Sequence, residues 1–323
     1  MADSASDVEE HSKGGGALQT AKDLFAGAAG GVAQVLIGQP FDIVKVRLQT
    51  STAYSSALDA ATSIWKKEGP LAFYKGTLTP LVGIGACVSI QFGAFHQARR
   101  WFEAANAAKS PAAVSGGAAL PSHPTLSYGQ YYAAGAFAGV ANSVISGPIE
   151  HVRIRLQAQP HGAGRLYAGP LDCVRKLAAP APLGAGSALR GLYRGEAVTV
   201  LREAQAYGVW FCTFEWLMNS DARRSGVDRR DVPAWKVALY GGLAGEALWL
   251  SSYPLDVVKS KMQTDGFGPE GQRYKTMRDC FAQTWRAEGM RGFWKGVGPT
   301  LLRAMPVSAG TFAVVEFTMR AIN

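Results

Sequence analysis

The chain has 323 residues, 48% of them apolar and 18% charged, with a formal net charge of +9. That apolar share excludes a disordered chain, while the positive balance suits nucleic acid, an anionic lipid surface or an acidic solute without choosing among them. The four cysteines, Cys87, Cys173, Cys212 and Cys280, lie far apart with no C-x-x-C pair, which argues against a disulfide framework and a zinc site. Residues 1–20 read as a disordered tail, because Asp3, Asp7, Glu9 and Glu10 occur there without an arginine, unlike a secretory signal or an Arg-rich transit peptide. Apolar stretches rich in glycine and alanine follow at about 21–48, 77–102, 127–157, 196–219, 233–262 and 297–321. Each is long enough to span a bilayer, although the mean hydropathy is only +0.01 and no run of about 20 uninterrupted apolar residues stands out. Their few charges sit at the ends or on one face, which is tolerable where that face lines a protein interior or a watery cavity. Residues 105–126 and 221–232 read as linkers, so the chain divides into segments at 21–104, 127–220 and 233–323.

These segments repeat. Pro40-Phe-Asp42-Ile-Val-Lys45-Val-Arg47-Leu-Gln49 returns as Pro148-Ile-Glu150-His-Val-Arg153-Ile-Arg155-Leu-Gln157 and as Pro254-Leu-Asp256-Val-Val-Lys259-Ser-Lys261-Met-Gln263, at intervals of 108 and 106 residues. Glycine pairs Gly27/Gly31, Gly135/Gly139 and Gly241/Gly245 precede each proline at one fixed distance, a spacing that lets spanning helices approach closely. Downstream, Tyr54 with Asp59, Tyr167 with Asp172 and Tyr274 with Asp279 mark a short surface helix in each copy. Glu68-Gly69-x4-Tyr74-Lys75-Gly76 then matches Glu288-Gly289-x4-Trp294-Lys295-Gly296, while the middle copy keeps only Tyr193-Arg194-Gly195 and gains a loop around Pro180, Pro182 and Gly184.

Three copies of Pro-x-acid-x-x-base-x-base in register resemble the mitochondrial carrier family, within it the fungal carriers near the carnitine/acylcarnitine and ornithine (basic amino acid) subgroup. The resemblance implies an all-α membrane protein: six transmembrane helices in three tandem repeats, a pseudo-three-fold bundle with amphipathic helices on the matrix side. Localisation in the mitochondrial inner membrane follows from it. Pro40, Pro148 and Pro254 would kink the odd-numbered spanning helices and bring their ends together. Acid and base three residues apart share one helix face, so with three-fold closure Asp42 can meet Arg153, Glu150 can meet Lys259 and Asp256 can meet Lys45, forming a matrix gate. Gln49, Gln157 and Gln263 occupy the family's brace positions, where an amide can bond across each ion pair. Gly76, Gly195 and Gly296 precede helix starts beside Lys75, Arg194 and Lys295, where the family binds cardiolipin phosphates. The family's outer ring is degenerate here, since only Arg99, Glu215 and Glu316 keep its charged pattern.

Thirteen residues before Glu215, Glu316 and His96 lie Arg202, Arg303 and Gly83, about mid-membrane. Leu201-Arg202-Glu203 is similar to the arginine-acid pair of carriers for carnitine and basic amino acids. Trp249, Gln91 and the open space at Gly83 complete the expected solute site. Charged groups at that depth are costly and point to function. A small amino acid fits such a site, its carboxylate on Arg202 and Arg303 and its amine on Glu203; carnitine, acylcarnitine or another organic acid is the alternative. A structural pairing of Arg202 or Arg303 with Glu203 or Glu246 is the bland reading. A proton-leak or regulatory protein without metabolite exchange is the competing class. No histidine spacing fits a metal, and no nucleophile elbow or phosphate loop points to an enzyme. The expected partners are a small solute and inner-membrane lipids, with no nucleic acid, no cofactor beyond structural cardiolipin, and a monomer as the working unit.

Overall fold

The protein is described from a computed structural model over residues 17–51, 53–109, 126–159, 164–180, 187–267 and 271–322. The acidic tail through residue 16, most of the first linker and the loop around Pro182 and Gly184 lie outside the described residues. Six long helices carry the fold: α1 (Ala17–Thr50), α3 (Leu78–Lys109), α4 (Tyr128–Ala158), α7 (Glu196–Ser225), α8 (Ala234–Thr264) and α10 (Val297–Ile322). Short helices α2 (Ala57–Glu68), α5 (Pro170–Ala178), α6 (Ala188–Leu192) and α9 (Met277–Gly292) lie between them. The first helix begins at Ala17, inside the stretch the sequence assigns to the tail.

The aspartate of each tyrosine–aspartate spacing starts a short helix. Ser56 accepts the Asp59 N–H while Asp59 accepts the Ser55 N–H, a reciprocal cap that recurs with Thr276, Asp279 and Lys275. In the middle copy Gly169 caps, Pro170 occupies the first turn, and Asp172 accepts the Ala168 N–H.

The chain divides into two compact units. One comprises Met1–Gly85, Ile145–Thr199 and Tyr253–Asn323; the other comprises Ala86–Val144 and Val200–Ser252. The first contains three equivalent small cores, each joining the end of a proline-bearing helix to the short helix that follows it. Ile43, Val44 and Leu48 pack with Ala60 and Ile64; Val152 and Leu156 pack with Cys173 and Leu177; Val258 and Met262 pack with Cys280 and Phe293. Three-fold sequence repetition thus becomes three-fold repetition of packing. In the same unit α10 lies along α1, where a Cβ at Gly30 would meet Val315 at 2.5 Å.

The second unit has an aromatic core of Phe95, Tyr131 and Phe211 with Ala98, Ala134 and Ala138. Phe95 and Phe211 stack at 3.6 Å between ring centroids. Here Gly135 and Gly139 let the backbone of α4 touch that of α7, since a Cβ at either would fall on the carbonyl of Tyr207 or Glu203. Gly27 and the third pair behave differently. A Cβ at Gly27, Gly241 or Gly245 would meet no described atom within 4 Å, and Gly30, outside the expected pair, makes the close approach on α1.

Among the described residues, no single helix is long and apolar enough to cross a membrane, although one bent pair, Pro70–Gly83 with Gly85–Ala108, passes that test. Length alone does not explain this. The shortest of the six, with 26 residues, extends about 39 Å at 1.5 Å per residue, beyond a hydrocarbon core of about 30 Å. Several charges on the long helices are buried, Lys45, Asp256, Lys259, Arg202 and Glu203 among them, while Phe25, Leu36, Phe137, Val144, Leu243, Leu250, Leu302 and Phe317 are exposed. Large apolar side chains on the surface, with charges kept inside, suit a protein surrounded by lipid.

Candidate functional site

Pro40, Pro148 and Pro254 sit inside α1, α4 and α8, each removing one backbone hydrogen bond in mid-helix. Just beyond each, acid and base project from the same helical face. All three inter-repeat ion pairs are made. Arg153 donates to Asp42 at 2.6 Å, Lys45 lies 2.7 Å from Asp256, and Lys259 contacts Glu150. Every base is therefore held by the acid of another repeat.

The braces are unequal. Gln49 donates to Asp256 at 3.1 Å and to the Tyr253 hydroxyl at 3.2 Å, bracing the Lys45–Asp256 pair. Gln263 donates instead to Thr199 at 3.3 Å, and the buried Nε2 of Gln157 has no hydrogen-bond partner among the described residues. The residues preceding two of the prolines also contribute, which the sequence did not disclose. Gln39 donates to the Lys75 carbonyl at 2.6 Å and accepts from Arg153 at 2.7 Å, while Tyr253 donates to the Lys295 carbonyl at 3.0 Å. In the middle copy the corresponding residue is Gly147, and the Glu196 carboxylate occupies the space a Cβ there would need.

The second base of each motif forms an outer layer. Arg47 forks onto both oxygens of Glu68, at 3.0 and 3.1 Å, and donates to the carbonyls of Gln157 and Gln159. Lys75 binds the same carboxylate at 2.6 Å. Burial pushes the Glu68 carboxyl up, but hydrogen bonds from Lys75 and Arg47 outweigh it, and the net shift is downward. Glu288 repeats this arrangement with Lys261 at 2.7 Å and with Lys295; burial again opposes, and again the lysines win. The middle copy lacks this glutamate. Asp265, at the end of α8 in the next repeat, pairs with Arg194 at 2.6 Å, and its carbonyl accepts from Arg155 at 2.6 Å. Phe267 lies under both guanidiniums, at 5.0 and 4.7 Å. The repeated base at this position was a visible signal; its partner across repeats was not.

Gly76, Gly195 and Gly296 adopt φ of 76°, 78° and 83°, a left-handed conformation that favours glycine. Each precedes a long helix, and a Cβ at Gly76 or Gly296 would crowd a carbonyl, of Arg153 or Lys45, at 3.2 or 3.1 Å.

In the second unit Arg202 and Glu203 pair with each other, with 8% and 1% exposure. The Arg202 guanidinium lies 5.3 Å from the Trp249 ring, and Asn142 donates to the second oxygen of Glu203 at 3.4 Å. Gln91 is half-buried on α3. In the first unit Arg303 binds Asp42 at 3.1 Å, the carboxylate that also holds Arg153. The space expected at Gly83 belongs to packing, because a Cβ there would meet Ile149 at 2.5 Å.

Residues 16–106, 124–222 and 230–323 each match the family described as mitochondrial carrier protein. The chain belongs to the mitochondrial carrier family. The carrier is 45% identical over 320 residues to the mitochondrial glycine transporter of Saccharomyces cerevisiae, covering 98% of this chain and 96% of the relative. It is also 45% identical over 314 residues to the glutamate/glycine mitochondrial carrier of Schizosaccharomyces pombe, covering 95% and 97% of the two chains. To the mitochondrial basic amino acids transporter of Homo sapiens it is 41% identical over 303 residues, covering 93% and 90%. It is a multi-pass solute carrier of the mitochondrial inner membrane.

The charges expected in the carrier's outer ring find local partners. Glu215 is held by Arg229, with one contact at 2.8 Å, and Arg99 binds Glu103 one turn along its own helix at 2.8 Å. The side chain of Glu316 lies outside the described residues.

Proposed function

We propose that the carrier exchanges small zwitterionic amino acids by alternating access. The observation that carries this reading is the buried Arg202–Glu203 pair, cation beside anion on one turn of α7, with Trp249 at its edge. A zwitterion can replace each member of that pair by its complement, carboxylate for Glu203 at Arg202 and ammonium for Arg202 at Glu203, so neither buried charge is stranded. A plain organic acid satisfies only one. The printed names of the relatives, a glycine transporter, a glutamate/glycine carrier and a basic amino acids transporter, support the same class. In the present conformation Asp42 holds Arg303. The three inter-repeat ion pairs serve as the matrix gate, individually weak enough to open in each cycle. No bond is made or broken in the solute, and a single chain suffices.

Uptake by proteoliposomes preloaded with a panel of amino acids, carnitine esters, oxo acids and nucleotides tests this. Amino acids are expected to drive counter-exchange at least about tenfold faster than oxo acids of the same skeleton, the effect of one charged contact. Preference for carnitine esters or oxo acids would assign the alternative substrate class, and proton conductance without solute uptake would assign the leak.

The glycine-led helix starts following Gly76, Gly195 and Gly296 fit cardiolipin phosphates by their free N–H groups and neighbouring positive charge. A cardiolipin titration is expected to raise the melting temperature of the purified carrier, since a ligand of the folded state stabilises it, while neutral lipid leaves it unchanged. Equal melting with both lipids would remove these sites.

A further inference from the structure

We infer that Asn142 is a substrate-specificity residue, its side-chain carbonyl forming with Glu203 a two-acceptor seat for the ammonium of the solute. This rests on the amino-acid reading above and adds a residue to it. Asn142 lies on α4, three residues after Gly139, where the glycine lets α4 approach the backbone of α7 at Glu203. The close approach brings the amide to the carboxylate: its Nδ2 donates to Glu203 Oε2 at 3.4 Å. The opposite amide orientation would set two acceptors against each other, so electrostatics fixes which end faces Glu203.

That leaves Oδ1. Asn142 is 2% exposed, and its Oδ1 is buried with no hydrogen-bond partner among the described residues. A buried acceptor without a donor is unfavourable, and the other oxygen of the same Glu203 carboxylate already holds a cation, Arg202. When a solute carboxylate draws Arg202 off Glu203, the carboxylate and the amide carbonyl are left needing donors. An ammonium carries three, enough for both. An oxo acid carries none, and a quaternary ammonium has charge but no N–H, so Oδ1 stays empty with either. Asn142 thus rewards N–H donors specifically, whereas Glu203 rewards any cation.

Reconstituted wild-type and Asn142→Leu carriers are compared by uptake of labelled glycine, with unlabelled glycine and glyoxylate as competitors. Leucine keeps the branching and heavy-atom count of asparagine, though it is larger, and removes both polar atoms. The expected result is a KM for glycine about tenfold higher, a kcat within about twofold, and an unchanged glyoxylate inhibition constant, the loss expected for one hydrogen bond to a charged group. Asn142→Ser, which restores a small acceptor, should recover part of the glycine affinity. If Asn142→Leu leaves glycine KM unchanged, or weakens glycine and glyoxylate alike, Asn142 is not a seat for the amine. Should the leucine variant fail to insert, the glycine-to-glyoxylate ratio of Asn142→Ser decides, and a wild-type ratio overturns the inference. A wild-type carrier that does not distinguish glycine from glyoxylate defeats the amino-acid reading itself, a result read before any variant is made.

Discussion

Arg202→Ala is expected to reduce uptake of every accepted solute by about a hundredfold or more, while Arg202→Lys retains part of it. The guanidinium is the carboxylate's charge-assisted partner, and its planar fork on the Trp249 face cannot be reproduced by an ammonium. Removing it also strands Glu203, which is 1% exposed, and breaking a buried pair from one side costs about 3–5 kcal/mol. Loss of folding is separated from loss of function by adding Glu203→Gln: the double variant should recover melting temperature and insertion without recovering uptake. Recovery of uptake together with stability would make the pair structural and remove it from the solute site. Glu203→Gln alone should impair amino acids far more than oxo acids.

The second large effect concerns Asp42, which serves two arginines, Arg153 at 2.6 Å and Arg303 at 3.1 Å. Single alanine variants of Lys45, Arg153 or Lys259 should each impair exchange with the protein still inserted, because an acid of the ring loses its base. Reversal of a pair should restore the ring. Glu150→Lys with Lys259→Glu is expected to regain most of the activity lost in either single variant. Asp42→Arg with Arg153→Asp should regain little, since it places a new cation against Arg303, whose Nε would lie 2.8 Å from a Cβ at Gly38 and which is confined there. Two like charges about 4 Å apart at partial burial repel by about 4 kcal/mol. Transport initial rates in liposomes measure both swaps. Equal rescue would show that Arg303 leaves Asp42 during the working cycle, and no rescue by either swap would refute the pairing.

The sequence by itself determined the topology and the ring. Three copies of one motif in register, each with a proline and an acid and base three residues apart, require three equivalent helices whose charges meet across repeats, because a lone charge in lipid is too costly to leave unpaired. The short surface helices were legible for the same local reason, since a capping aspartate acts within four residues of its partner. What only the tertiary structure decided are contacts whose partners carry no spacing shared among the three copies. Asp265 replaces the glutamate missing from the middle copy, Arg229 takes Glu215, and Asp42 claims Arg303. The glycine pairs had the same spacing in all three copies, yet only Gly135/Gly139 brings two backbones together among those described, because closeness depends on which residues face the glycine and not on the glycine alone. Asn142 was invisible for that reason. A single asparagine on an apolar helix has no signature until the neighbouring helix sets a glutamate beside it.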